Sequence, residues 1–424
     1  MEAHGTTNPP PAPAEIRLWL VPQDRPPAEA RARVDPRCLA PDRDTRREPD
    51  QDRFPRDGAR LDRADPRRGN PDRLPVRASE RLAGRGGALE WLRIPSALYD
   101  SLTRARNAAY DRGWKRVGRL DVPVVSVGNL TVGGTGKTPA VIWLARELLR
   151  RGRTPGILSR GFRRGTEQLN DEGRLIAREV PDALQEQDPD RLRGGRELVE
   201  RGAQVVILDD GFQHRRLARD LDLVLVDATR PFGLPLGGER EPPRLCLPRG
   251  LLRERPAGLR RANAAIVTRA DQVSVATLER LTDDLHAIAP AVPLARAAHR
   301  PVRLRGIGGE RPLDWLRGRP VRLVCGLANP EAFAGTVRSL GAVIVALHAF
   351  GDHHPFAPSD LTDLAREGET LLVTAKDAVK LTSASVPFLV LDIEFTLLEG
   401  AALLDALLDA LPPGRAALHA GLPG

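Results

Sequence analysis

A lysine and a threonine, Lys137 and Thr138, close a short run that holds Gly133, Gly134 and Gly136, with Gly128 just upstream. In that spacing glycine lets main-chain N–H groups turn inward around a polyphosphate, the lysine reaches its outer phosphates, and the threonine hydroxyl is offered to Mg2+. The run is T-V-G-G-T-G-K-T over Thr131, Val132, Gly133, Gly134, Thr135, Gly136, Lys137 and Thr138. A threonine therefore stands where the usual pattern begins with glycine. Two carboxylates, Asp209 and Asp210, end the apolar run Val205 to Leu208. Acids at the end of a buried strand downstream of a phosphate loop are placed to bind its Mg2+. Asp171 and Glu172, within L-N-D-E-G, have the side chains to hold metal or to accept a proton from a substrate hydroxyl. Taken alone, such a pair is equally a solvated surface feature. The chemistry these groups imply together is the binding of a nucleoside triphosphate.

Elements must hold those groups in place. The run from Val122 to Val127 is β-branched, and Val141, Leu144, Ala145 and Leu148 recur at helical spacing. Strand, glycine loop and helix follow one another, which is the context a phosphate loop requires. Asp171 and Glu172 fall in what reads as a loop. Gly156 to Ser159 reads as a short strand leading into S-R-G-F, which carries Arg160. G-F-Q-H-R-R, from Gly211 to Arg216, adds His214 at the strand end where open α/β sheets bind ligands. Two more strands are expected at Leu223 to Asp227 and Ala265 to Thr268. The second runs into T-R-A-D, Thr268 to Asp271, which resembles the base-recognition sequence of GTPases and leaves a P-loop GTPase or metallochaperone as the alternative. Arg230 to Gly238 and Leu247 to Glu254 combine glycine, proline and arginine. They suit a clamp on an anionic substrate, or a surface loop of an arginine-rich chain.

The chain has 424 residues and a formal net charge of +9. Its basic residues are nearly all arginine, with lysine only at 115, 137, 376 and 380. The charge thus reflects a composition bias and points to no nucleic-acid partner, whereas a retained lysine marks a place needing a compact ammonium. Cys38, Cys246 and Cys325 show no metal-ligand spacing. No run approaches the length of a membrane span, and the start lacks the apolar region of a signal peptide. Residues 1–87 are dense in Pro, Arg and Asp and read as a disordered tail. Residues 88–118 begin with Leu89, Trp91, Leu92, Ile94, Leu98, Tyr99 and Leu102 and continue with arginines. They read as an amphipathic helix that lies in a membrane interface or packs on the core. Residues 119–295 form the expected P-loop NTPase-like parallel sheet domain, and a composition shift near 290–300 opens a second, smaller α/β lobe at 296–424. Strands are expected there at Val321 to Gly326, Val343 to Leu347, Leu371 to Thr374 and Phe388 to Leu391, with helices near 330–339, 358–366 and 400–411. Two of its segments carry chemistry. F-G-D-H-H-P-F, Phe350 to Phe356, offers a histidine for proton transfer, and T-A-K-D-A-V-K, Thr374 to Lys380, holds two of the lysines.

From Leu89 to Leu411 the chain resembles the tetraacyldisaccharide 4'-kinase family, the lipid A 4'-kinases. The resemblance rests on V-P-V-V-S-V-G-N-L-T-V-G-G-T-G-K-T-P, S-R-G-F, N-D-E-G, V-V-I-L-D-D-G-F-Q-H-R-R-L-A-R-D, R-P-F-G, L-P-R-G-L-L-R-E, G-L-A-N-P-E-A-F, F-G-D-H-H-P-F and T-A-K-D-A-V-K, in that order. The threonine-first phosphate loop belongs to the same pattern. The resemblance implies ATP- and Mg2+-dependent phosphorylation of the 4'-hydroxyl of an acylated glucosamine disaccharide 1-phosphate. The work would be done by a monomer lying peripherally on the cytoplasmic face of the bacterial inner membrane. It implies that Lys137 and Thr138 hold phosphates and metal, and that Asp209 and Asp210 complete the Mg2+ site, with Glu172 touching it. Asp171 would be the base with His353 as its partner, and Arg160, His214 and Arg253 would contact substrate or nucleotide. Asn170 and Gly173 replace the family's glycine and proline around the acidic pair, and Ala375 replaces a glutamate.

Overall fold

The computed structural model describes Leu82 and residues 86–161, 169–234, 243–306, 308–352, 354–381 and 386–414. Apart from Leu82 and residues 86–87, the tail expected at 1–87 lies outside them. The centre is a run of parallel strands, β1 Val124–Asn129, β4 Val205–Asp209 and β5 Leu221–Asp227, buried along their whole length. Such continuous apolar runs are what a sheet covered on both faces requires. Around them lie β2 Pro155–Ser159, β3 Leu184–Gln187, β6 Ala264–Thr268, β7 Leu294–Gly306 and β8 Gly309–Arg311. Further out are β9 Pro320–Cys325, β10 Val343–Ala349, β11 Thr370–Thr374 and β12 Leu389–Glu399. The spatial order is β10-β9-β11-β12-β7-β6-β5-β1-β4-β2-β3, with β8 against β7. The fold is therefore α/β on a mostly parallel sheet, as the alternation of strand and helix patterns led us to expect.

The one long antiparallel pairing is β12 on β7, from Leu389 opposite Gly306 to Glu399 opposite Arg296. This ribbon joins the strands up to 268 to those from 320 onward. The composition shift near 290–300 thus falls at a strand. Its text, L-A-R-A-A-H-R, lacks the β-branched residues that mark strands, yet Ala295, Ala297 and Ala298 are buried.

Helix α2, Lys137–Arg150, buries Val141, Leu144, Ala145 and Leu148 against the sheet, each side chain worth about 1.5–3 kcal/mol except the alanine. Helix α3, Asp171–Glu179, replaces the loop expected at the acidic pair. Asn170 caps it, its Oδ1 accepting from Gly173 N at 3.0 Å. A glycine in the first turn and a length of nine residues hid the helical pattern. Helix α1, Arg93–Asp111, follows a 3-10 turn at Gly87–Leu92. It stops short of the expected 118 because Gly113, at φ +71°, ends it in left-handed backbone.

Helix α1 is docked by its polar side. Ser96, Asp100 and Tyr110 are its buried residues. The fully buried Arg249 donates to Glu90 at 2.8 Å, and its main-chain N–H donates to Ser96 Oγ at 2.8 Å. Arg255 donates to Asp100 at 2.8 Å. The large apolar side chains Trp91, Ile94, Leu98 and Leu102 are left 62–76% exposed. Among the described residues no helix is long and apolar enough to cross a membrane.

Candidate active site

The phosphate loop leaves β1 and enters α2, with left-handed backbone at Gly133 (φ +121°) and Gly136 (φ +85°). Gly136 is doubly constrained, since a Cβ there would sit 2.2 Å from His299 Cε1 on β7. Residues 132–138 line a cleft of about 1010 Å3. Thr131 does not line it; it is buried, and its carbonyl accepts from Asn129 Nδ2 at 2.9 Å. That orients Asn129 so that its Oδ1 accepts from Lys137 Nζ at 3.3 Å. The sequence had offered Asn129 only as part of V-G-N, without a role.

The strand-end aspartates, Asp209 and Asp210, line the same cleft and differ sharply. Asp210 lies in left-handed backbone, φ +55°, unusual for a residue with a side chain. Arg253 Nη1 stands 2.7 Å from both its oxygens, and Lys137 Nζ stands 3.4 Å away. Burial pushes its carboxyl up, but Lys137 and Arg253 outweigh burial and hold it at about 2. Asp209 makes no such close pair, and Lys137 and Arg191 only partly offset its burial. Its Oδ1 is buried without a hydrogen bond, and burial, with Glu172 and Asp210 nearby, raises its carboxyl to about 7.

Facing the loop, Asn170 and Glu172 line the cleft, whereas Asp171, between them in sequence, is not among its lining residues. Asp171 accepts from Arg174 at 2.9 Å and lies 3.7 Å from Lys380 Nζ. Lys376 bridges Glu172 and Asp352, 3.1 Å from each. Burial would discharge its ammonium, and those two carboxylates reverse that and raise it above its ordinary value. Lys380 is itself 2.9 Å from the buried Asp377, which accepts from Gly326 N and Thr374 Oγ1. Both lysines of T-A-K-D-A-V-K therefore reach the acidic pair, a pairing that spacing alone does not reveal.

Arg160 and Arg253 line the cleft; His214 is not among its lining residues. Burial, then Arg191, Arg216, Arg106 and Arg219, lower His214 to about 4. His353 lies outside the described residues. Its neighbour His354 pairs with Asp360 at 2.9 Å and stacks on Phe350. Among the described residues no group of three or more His, Cys, Asp or Glu gathers as a metal cage.

The unpartnered Asp209 gives a pH dependence with a definite sign. Its folded value of about 7 lies above its ordinary 3.8, so its stabilising contribution is complete below about 4 and is lost as pH rises through 7. In chelator, the melting temperature of the wild type should therefore fall relative to Asp209→Asn across that window. A constant difference between the two proteins would contradict the raised carboxyl.

A phosphate loop at the carboxyl end of a central parallel strand, with acids ending the next strand, defines the P-loop nucleotide-binding class. The family model for tetraacyldisaccharide-1-P 4'-kinase, LpxK, matches residues 88–412. A tetraacyldisaccharide 4'-kinase of Anaeromyxobacter sp. (strain K) is 37% identical over 351 residues, covering 75% of this chain and 89% of that protein. One from Syntrophus aciditrophicus is 39% identical over 321 residues, covering 68% and 83%. The solved LpxK of Aquifex aeolicus, in complex with ATP, superposes with a TM-score of 0.58 at 30% identity, covering 76% of this chain and 99% of that one. The chain belongs to the tetraacyldisaccharide 4'-kinase family.

Proposed function

We propose that the protein transfers the γ-phosphoryl group of ATP to the 4'-hydroxyl of a tetraacylated glucosamine disaccharide 1-phosphate in lipid A synthesis. The observation that carries this reading is that one cleft holds the phosphate loop, the strand-end aspartates and Glu172 of α3, the residue next to Asp171. Phosphoryl transfer demands mainly positioning and charge neutralisation, plus one group to orient the nucleophile. The main-chain N–H groups of the phosphate loop other than that of Thr135, which Gly133 O accepts, and the Lys137 ammonium receive the phosphates. Asp171 takes the hydroxyl proton, the sugar oxygen bonds to the γ-phosphorus, and the bond from that phosphorus to the β–γ bridging oxygen breaks to release ADP. His353 is its proton-transfer partner, and Arg160 and Arg253, which line the cleft, contact the anionic substrate or nucleotide.

The residues fit Mg2+. Asp209 Oδ1 is a buried oxygen lacking a partner, and its carboxyl is raised as expected of a site built around a cation. Mg2+ commonly uses one or two carboxylates together with substrate phosphates, so a full protein cage is not required. Asp209, Asp210 and Thr138 would hold it, with Glu172 beside them. When bound, the ion neutralises charge on the β- and γ-phosphates.

The exposed face of α1 seats the protein on the cytoplasmic side of the inner membrane as a peripheral monomer, beside its lipid substrate. Residues 119–295 act as the kinase core and 296–424 as the smaller lobe, whose approach completes the site and expels water. The deciding experiment is transfer of labelled phosphate from ATP to an acylated disaccharide 1-phosphate in mixed micelles. A Mg2+-dependent product phosphorylated at the 4' position is expected, and no transfer would overturn the reading.

A further inference from the structure

The motif T-R-A-D, which in GTPases would read a base, has another use here. Its Asp271 is exposed and is not among the residues lining the cleft. Its first two residues turn instead to the phosphate loop. The buried Thr268 donates from Oγ1 to the carbonyl of Thr135 at 3.0 Å. Arg269 donates from Nη1 to the carbonyl of Gly134 at 3.2 Å. Arg269 reaches that position from left-handed backbone, φ +53°, a conformation that costs a side-chain-bearing residue about 1–2 kcal/mol.

The arginine is anchored on Asp227, at the end of β5, which is 2% exposed and fully engaged. Its Oδ1 accepts from Thr229 N at 3.0 Å and Thr229 Oγ1 at 2.7 Å. Its Oδ2 accepts from Arg269 and from Asn329 Nδ2, the latter at 3.1 Å. Asn329 caps the helix Pro330–Ser339, its side chain accepting from Ala332 N at 3.4 Å. One carboxylate therefore ties the phosphate loop to G-L-A-N-P-E-A-F on the far side of the ribbon.

A trans peptide is planar, with its carbonyl and the following N–H pointing in opposite directions. A donor on Thr135 O therefore turns the Gly136 N–H away from Thr268. The Arg269 bond sets the plane of the next peptide back, whose N–H closes a turn on Gly133 O at 3.2 Å. Fixing these planes before the anion arrives removes an ordering cost from binding.

We propose that Thr268 and Arg269, anchored on Asp227, are positioning residues that hold the phosphate loop open for the triphosphate, and that T-R-A-D here serves the cradle rather than the base. The proposal extends the kinase reading, yet its test does not depend on transfer. Calorimetric titration of the full chain with Mg2+–ATP is expected to show Kd raised about fivefold or more by Thr268→Val, of the order of one lost hydrogen bond. Thr268→Ser, which keeps the hydroxyl, should stay within about twofold of wild type. In turnover, Thr268→Val and Arg269→Lys should raise KM for ATP while KM for the acylated acceptor stays within about twofold. Asp271→Asn should leave the ratio of ATP to GTP affinity unchanged. Equal ATP affinity in Thr268→Val and Thr268→Ser would overturn the proposal, as would equal rises in both KM values or a base preference that follows Asp271. A wild type that binds ATP with this Thr268 dependence but never phosphorylates the acceptor would instead overturn the kinase reading.

Discussion

Asp171→Asn is expected to lower kcat for the acylated disaccharide 1-phosphate by about 10²- to 10⁴-fold, the range of a lost general base, with Kd for ATP within about threefold of wild type. The substitution keeps the size and one acceptor oxygen, so the bond from Arg174 and the helix start capped by Asn170 survive. It removes the basic oxygen. ATP binding is spared because the phosphate loop approaches the cleft from β1 and α2, with its own lysine and its own strand-end aspartates. Single-turnover chemistry with saturating ATP, set beside calorimetric ATP binding, separates the two effects. Transfer at the wild-type rate would remove Asp171 from the mechanism.

The second large effect concerns α1. Leu98→Glu with Leu102→Glu should lower binding to vesicles of anionic phospholipid by about 10²- to 10⁴-fold, since each leucine buried in lipid contributes about 1.5–3 kcal/mol. Both residues are more than 60% exposed, so the melting temperature should hardly move. Activity on acceptor dispersed in detergent should persist while activity on acceptor in vesicles falls. Undiminished vesicle binding would show that some other surface carries the attachment.

The parts of the molecule that were readable in advance are those whose chemistry is local. The phosphate loop needs glycine at Gly133 and Gly136 and a lysine one residue on, and all of this lies within eight consecutive residues. The apolar runs of β1 and β4 announce buried strands in the same way. What stayed hidden depends on distant partners. Nothing near Lys376 in the chain shows that it meets Glu172, and nothing near Arg269 shows that it meets Gly134. The strand β7 was obscured by its alanines and arginines, and α3 by its glycine. The orientation of α1 could be read two ways, because a helix with an apolar stripe ordinarily turns that stripe inward. Here Arg249, Glu90 and Asp100 invert the arrangement.

The ribbon of β7 and β12 has a mechanical side. His299 stands opposite Phe395 in its ladder and presses its ring on Gly136 with no room for even one more carbon. A twist of that two-stranded lever must swing the imidazole, and the lip of the nucleotide cradle is the first thing it meets. Motion of the outer strands and the shape of the phosphate seat are thus geared together at this contact, alongside the tie through Asp227.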